Sequence, residues 1–216
     1  MRSLICILIL ALTTTVSIAS KHDALIRKHF TSANLKAANT ASHALYMNQT
    51  ERDVIQFMNL ARLYPVKFAA FYKEYLEKHH ARGLKAFKQK DKYYYTLYTD
   101  LLANKDKKLE PYTPNKQMFQ LAKCWAIESG KKGVIGHNRK NCEKGYSAEC
   151  CSYMWSSDAM DHVLLLLMDN DTPGVGHRVA MLGSYKSVGV SMQDHEGYGK
   201  CTVLDFSRSS EDVASR

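Results

Sequence analysis

Two histidines, His137 and His177, stand in short segments bordered by glycine: GHNRKN, from Gly136 to Asn141, and GVGHRVAML, from Gly174 to Leu182. Two carboxylates lie between them in the chain. Glu149 belongs to AECCSYM, from Ala148 to Met154, and Asp169 ends an apolar run. Two imidazoles and two carboxylates are a workable donor set for zinc or a similar divalent cation. Without a cation, the same groups can move protons near neutral pH. The spacing does not choose between these chemistries. There is no H-E-x-x-H zinc-protease pattern and no serine in a nucleophile elbow.

The elements that must position these residues begin after a distinctive start. Arg2 is followed by an apolar run from Leu4 to Leu12 and by the small residues Ser17, Ala19 and Ser20. That pattern predicts a secretory signal peptide over residues 1–20, with cleavage after Ala19 or Ser20, and so a secreted protein. The remainder, about 195 residues, is long enough for one domain with a substantial core. The chain carries 30 Lys and Arg against 21 Asp and Glu, a net charge of +9. This favours anionic surfaces; export makes nucleic acid the least expected of them. Past Cys6, the five cysteines Cys124, Cys142, Cys150, Cys151 and Cys201 allow up to two disulfides, with pairing left open.

Residues 21–49 have no strong period and read as an extended or weakly helical lead-in. Thr50 is the expected cap of a helix, with Asp53 three residues on. Val54, Phe57, Met58 and Ala61 make one apolar face of it, and Pro65 opens a second helix carrying Phe68, Phe71, Tyr72, Tyr75 and Leu76. The stretch 73–108 is rich in lysine interleaved with Tyr93, Tyr94, Tyr95 and Tyr98, and reads as a basic insertion on the domain surface. Thr113-Pro114 opens the next helix, which ends near Gly130. Ser156 or Ser157 caps another, running through the buried leucines Leu164 to Leu167. Val188 and Val190, then Lys200 to Phe206, read as two strands joined by a hairpin, with a polar tail over 207–216. Helices first and strands last predict an α+β domain with an antiparallel sheet.

The order of these pieces resembles the CAP superfamily (cysteine-rich secretory proteins, antigen 5 and pathogenesis-related 1) in its bacterial-type form. Glycine-histidine-arginine at Gly176–Arg178, Val188-Gly189-Val190 and the closing strand TVLDFS resemble its C-terminal half. ERDVIQFMNLARLYPVKFAAFY resembles its first helix, with Asn59, Ala61, Arg62 and Pro65 in the family's places. Gly136-His137 resembles the first cleft histidine, and Ala148-Glu149-Cys150 stands where the family has glycine-glutamate-asparagine. Asp169 stands where many bacterial-type members have an acid, with Asp171 competing for that role. The resemblance covers residues 50–206 apart from the basic stretch. It implies a three-layer α-β-α sandwich with a central antiparallel sheet, and a groove faced by His137, Glu149, Asp169 and His177.

Three functional classes follow as expectations. One is a secreted binding module holding a divalent metal, zinc being the first choice, in that groove. Another is a metal-assisted hydrolase, peptidase or esterase, in which Glu149 is the candidate base to a bound water. The last is a binder of a sterol, a fatty acid or an anionic membrane surface, using the basic stretch.

Overall fold

The computed structural model describes residues 20–170 and 172–210. The expected signal segment before Ser20, the competing acid Asp171 and the tail from residue 211 lie outside them. The described chain is an α+β domain of mixed helices and one sheet. Its helices, in order, are α1 (Asp23–His29), α2 (Ser32–Ala38), α3 (Gln49–Leu63), α4 (Pro65–His79), α5 (Ala81–Lys88) and α6 (Tyr94–Ala103). They are followed by β1 (Thr113–Pro114), α7 (Lys116–Lys132), β2 (Ala148–Met154), α8 (Ala159–Met168), α9 (Gly176–Met181), β3 (Ser187–His195) and β4 (Gly199–Ser207). The sheet order is β1-β3-β4-β2; β2, β4 and β3 pair antiparallel, and the two-residue β1 runs parallel to β3. No helix among the described residues is long and apolar enough to cross a membrane.

Period-two alternation splits the sheet into two faces. Cys201 and Val203 of β4 pack with Cys151 against Ala122, Trp125 and Ala126 of α7. Leu204 and Phe206, one residue out of phase, join the larger core with α3 and α8. The layers are therefore helix, sheet, helix. Helix α7 lies very close to β3: a Cβ added at Gly189 would meet the Phe119 backbone nitrogen at 1.9 Å, and one added at Gly130 would meet the Asp194 carbonyl oxygen at 2.0 Å. Only glycine permits this approach of backbone to backbone.

Several local expectations are corrected. The cap of α3 is Asn48, not Thr50, and it forms a reciprocal capping box with Glu51 rather than Asp53. An amide side chain two residues earlier satisfies the first free N–H groups just as well. Of the two readings for residues 21–49, the helical one holds, in two short pieces: α1 and α2 bury Leu25, Ile26 and Leu35 in the main core, with Phe30 between them. Helices this short have little stability of their own and are held by that burial, so periodicity barely registers them. Thr113-Pro114 does not open a helix but forms β1, and Asn115 caps α7. Asp158, not Ser156 or Ser157, caps α8. The basic stretch forms the end of α4, then α5 and α6, and sends Leu97 and Leu101 into the core.

Two polar residues of α3 tie distant segments together from inside. The Asn59 side chain donates to the carbonyls of Ala38 and Tyr112 and accepts from the Tyr112 backbone N–H at 2.7 Å. Arg62 donates to the carbonyls of Glu110, Met181 and Gly183. Cys124 and Cys142 form one disulfide across an 18-residue separation; Cys150, Cys151 and Cys201 are buried free thiols. Replacing Gly189 by alanine should lower the unfolding free energy by about 3 kcal/mol, since a methyl is forced into backbone. Urea denaturation of the purified variant measures it, and an unchanged midpoint would contradict this packing.

Candidate functional site

β2 is an edge strand, and the site forms where segments from the two opposite helical layers meet beside it. Residues Glu149, Cys151 and Tyr153 point to the α7 side, opposite Asp205, Val203 and Cys201 of β4. The loop after α7 brings His137 to that side. Two of the contacts that hold this loop centre on Gly136: the Trp125 indole N–H donates to its carbonyl at 3.0 Å, and its N–H donates to the Tyr153 hydroxyl at 3.0 Å. From the other layer, α8 ends at Asp169, which takes a left-handed backbone with φ 51°, and the turn through Val175 starts α9 at Gly176. His177 thus enters from the opposite face, and the two imidazole centroids lie 6.2 Å apart.

All four expected residues come together, as two histidine–carboxylate pairs. His137 Nδ1 is 2.6 Å from Glu149 Oε1, and His177 Nδ1 is 2.7 Å from Asp169 Oδ1. Asp169 Oδ2 also accepts the backbone N–H of His177 at 2.9 Å, so both its oxygens grip one residue. An ionised carboxylate only accepts hydrogen bonds. Each Nδ1 therefore carries a proton, and Nε2 is the ring nitrogen left for another partner. Among the described residues no hydrogen bond uses either Nε2.

The electrostatics keep this arrangement in place. Burial, and after it the Arg139 guanidinium, holds the His137 imidazole below its ordinary value of 6.5. It is accordingly a neutral donor at neutral pH, as coordination requires. Burial pushes the Asp169 carboxyl up, but hydrogen bonds from His177 and Thr172 outweigh that, and it sits below its ordinary 3.8. Beside the pair lies a small groove of about 240 Å³, lined by Ile135, Tyr153, Leu165, Asp169, His177 and Tyr198 among others.

Sequence reading missed the group beneath His137. Arg139 is buried, and its guanidinium bonds Glu149 Oε2 through Nε at 2.7 Å and through Nη2, while Nη2 also meets both oxygens of Asp205 at 2.6 and 2.7 Å. Its Nη1 donates to the carbonyls of Leu121 and Glu143. Both oxygens of Glu149 are thus committed, one to His137 and one to Arg139. A matching anchor follows the second histidine: buried Arg178 donates to the carbonyls of Leu167, Met168 and Tyr93 and pairs with Asp100. The available signal was position: each cleft histidine is followed within two residues by an arginine. Nothing in that spacing says that the arginines are buried.

Removing the charge of Arg139 should be severe. Arg139→Met leaves two buried carboxylates without their cation, a loss of about 3–5 kcal/mol by denaturant titration. Asp205 adds a pH dependence of defined sign. Burial pushes its carboxyl up to about 7 against the pull of Arg139, from an ordinary 3.8. The folded state therefore binds a proton more tightly than the unfolded state, and the stabilisation from that proton is fully present below 3.8 and lost as pH rises through about 7. Asp205→Asn should flatten the stability–pH curve across that window. A curve parallel to that of the parent protein would show that Asp205 does not titrate there.

No protein-family model, curated protein or solved structure compared with the chain gives a significant match.

Proposed function

We propose that this protein is a secreted CAP-type binding module that holds a divalent cation, zinc by preference, at His137 and His177. The observation that carries the reading is the pair of Nδ1–carboxylate hydrogen bonds. In metal centres a carboxylate on one ring nitrogen fixes the tautomer and aims the other nitrogen at the ion. Glu149 and Asp169 are so placed, and in this reading they orient the imidazoles rather than bind the cation. The donor chemistry fits: two imidazole nitrogens, one on half-buried His177 and one on a more exposed His137 that solvent and an entering ion can reach. The ion, once bound, would supply Lewis-acid polarisation of whatever oxygen or nitrogen fills its open positions.

The binding reading is favoured over the hydrolase because Glu149 is poorly placed to serve as a base. A base must be free to take a proton from water, whereas both Glu149 oxygens are already engaged. The groove beside the histidines is also small. Its 240 Å³ is below the range of about 300–1,000 Å³ typical of sites that enclose a drug-sized ligand. A sterol or fatty acid would need a larger hollow, such as the one of about 390 Å³ between α4 and α6, walled by Val66, Ala69, Tyr98 and Leu102 and by the charged Lys73, Glu74 and Glu77.

Calorimetric zinc titration of the mature protein tests the reading. The His137→Ala/His177→Ala double variant should lose binding, and Asp169→Asn should weaken it by about 10–100-fold. Undiminished affinity in the double variant overturns the ligand assignment. For the hydrolase, a screen of peptide and ester substrates with zinc loaded should give no turnover that Glu149→Gln abolishes.

A further inference from the structure

We propose that the α7 side of the cleft is a thiolate metal site of its own, formed by His137, Glu149 and Cys151, which takes a soft or borderline cation such as Zn²⁺ or Cu⁺. The ligand atoms of these three residues lie within 4.8 Å of one another. Cys151 Sγ is 3.8 Å from His137 Nδ1. Metal–nitrogen and metal–sulfur bonds of about 2.0 and 2.3 Å at a tetrahedral angle separate nitrogen and sulfur by about 3.5 Å, so the pair is within a few tenths of an ångström of that spacing. Glu149 Oε1 is the oxygen on the third side; at 2.6 Å from Nδ1 it must draw back by about 0.7 Å to reach the spacing of about 3.3 Å that a tetrahedral nitrogen–oxygen pair takes. Here the cation takes the place of the Nδ1 proton shared with Glu149, so this position differs from the one between the two Nε2 atoms and does not depend on His177.

Charge and access agree with this assignment. Once Asp205 is ionised, it and Glu149 bring two negative charges against the single positive charge of Arg139. A thiolate and a divalent cation bring the buried group to zero, which low-dielectric surroundings favour. Coordination exchanges the S–H and Nδ1–H bonds for S–metal and N–metal bonds, and both protons leave to solvent. Cys151 borders the groove beside His177, and the His137 side chain is 52% exposed, so an ion has a way in. Cys151 is also one of three thiols left unpaired by the single disulfide. Of the three it alone stands within reach of a cleft histidine ring nitrogen. Cys150 faces the other layer, where its thiol meets the His177 carbonyl, and Cys201 meets the Ala126 carbonyl.

Cobalt(II) reports sulfur ligation directly, through a thiolate-to-cobalt charge-transfer absorption in the near ultraviolet. The whole mature protein, reduced at the free thiols and titrated with Co²⁺ alone, should develop that band, and added Zn²⁺ should abolish it while Mg²⁺ and Ca²⁺ do not. Cys151→Ser should remove the band and weaken binding roughly 10-fold or more, a loss at least as large as that of a supporting partner. Cys150→Ser, Cys201→Ser and His177→Ala should keep it. Absence of the band in the unsubstituted protein overturns the proposal whether or not Cys151→Ser folds. Co²⁺ bound without the band, and lost in His177→Ala, leaves the two-imidazole site standing and removes this one. A band that disappears in His177→Ala as well as in Cys151→Ser places one ion between both histidines and overturns the separate site.

Discussion

The site depends on a buried positive charge. Arg139 has no exposed side-chain surface, and a guanidinium is tolerated there only with its donors matched. Its partners come from four places: Glu149 on β2, Asp205 on β4, the Leu121 carbonyl of α7 and the Glu143 carbonyl of the following loop. Satisfying one side chain therefore fixes the His137 loop against both the sheet and the helix. It also settles what Glu149 can do. With one oxygen on Arg139, the other is left for His137, and the imidazole acquires a defined tautomer.

The other half of the cleft is built by the same device with different parts. Arg178 reads mostly backbone, taking the carbonyls at the end of α8 and from the start of α6, with one carboxylate, that of Asp100. This pins the short α9 by its third residue and leaves His177 at the groove. Asp169, in a left-handed conformation past the last turn of α8, then meets both the backbone and the ring of His177. The basic stretch enters the function indirectly, since α6 carries Thr96 and Asp100 to Arg178. The two arms approach from opposite layers because β2 is the edge of the sheet. A central strand would have kept them apart.

The periodic and chemically marked parts were legible before any coordinates. The apolar faces of α3 and α4, the Val188-Gly189-Val190 strand, its hairpin partner and the cleft residues His137, Glu149, Asp169 and His177 all carry local signals: spacing, glycine borders or a carboxylate at the end of an apolar run. The misplaced elements are those whose signal is not local. β1 is two residues long and exists through its register with Ser187 and Val188. α1 and α2 are too short to hold without the core they enter. The strand β2 was not recognised within AECCSYM, because its polar Glu149 and Ser152 are buried by partners in other segments, Arg139 in the preceding loop and His162 on α8.

By itself the sequence determined the inventory: which residues can ligate a cation or move a proton, which histidine segments are bordered by glycine, and a domain of helices followed by a hairpin. Tertiary structure alone decided how that inventory is used. It joined His137 to Glu149 and His177 to Asp169, chose one disulfide from five eligible cysteines, and left Cys151 beside an imidazole. The reason is physical. A residue's capacity for chemistry is a property of its side chain, but its protonation, its free lone pair and its neighbours depend on burial and on which charges are buried with it.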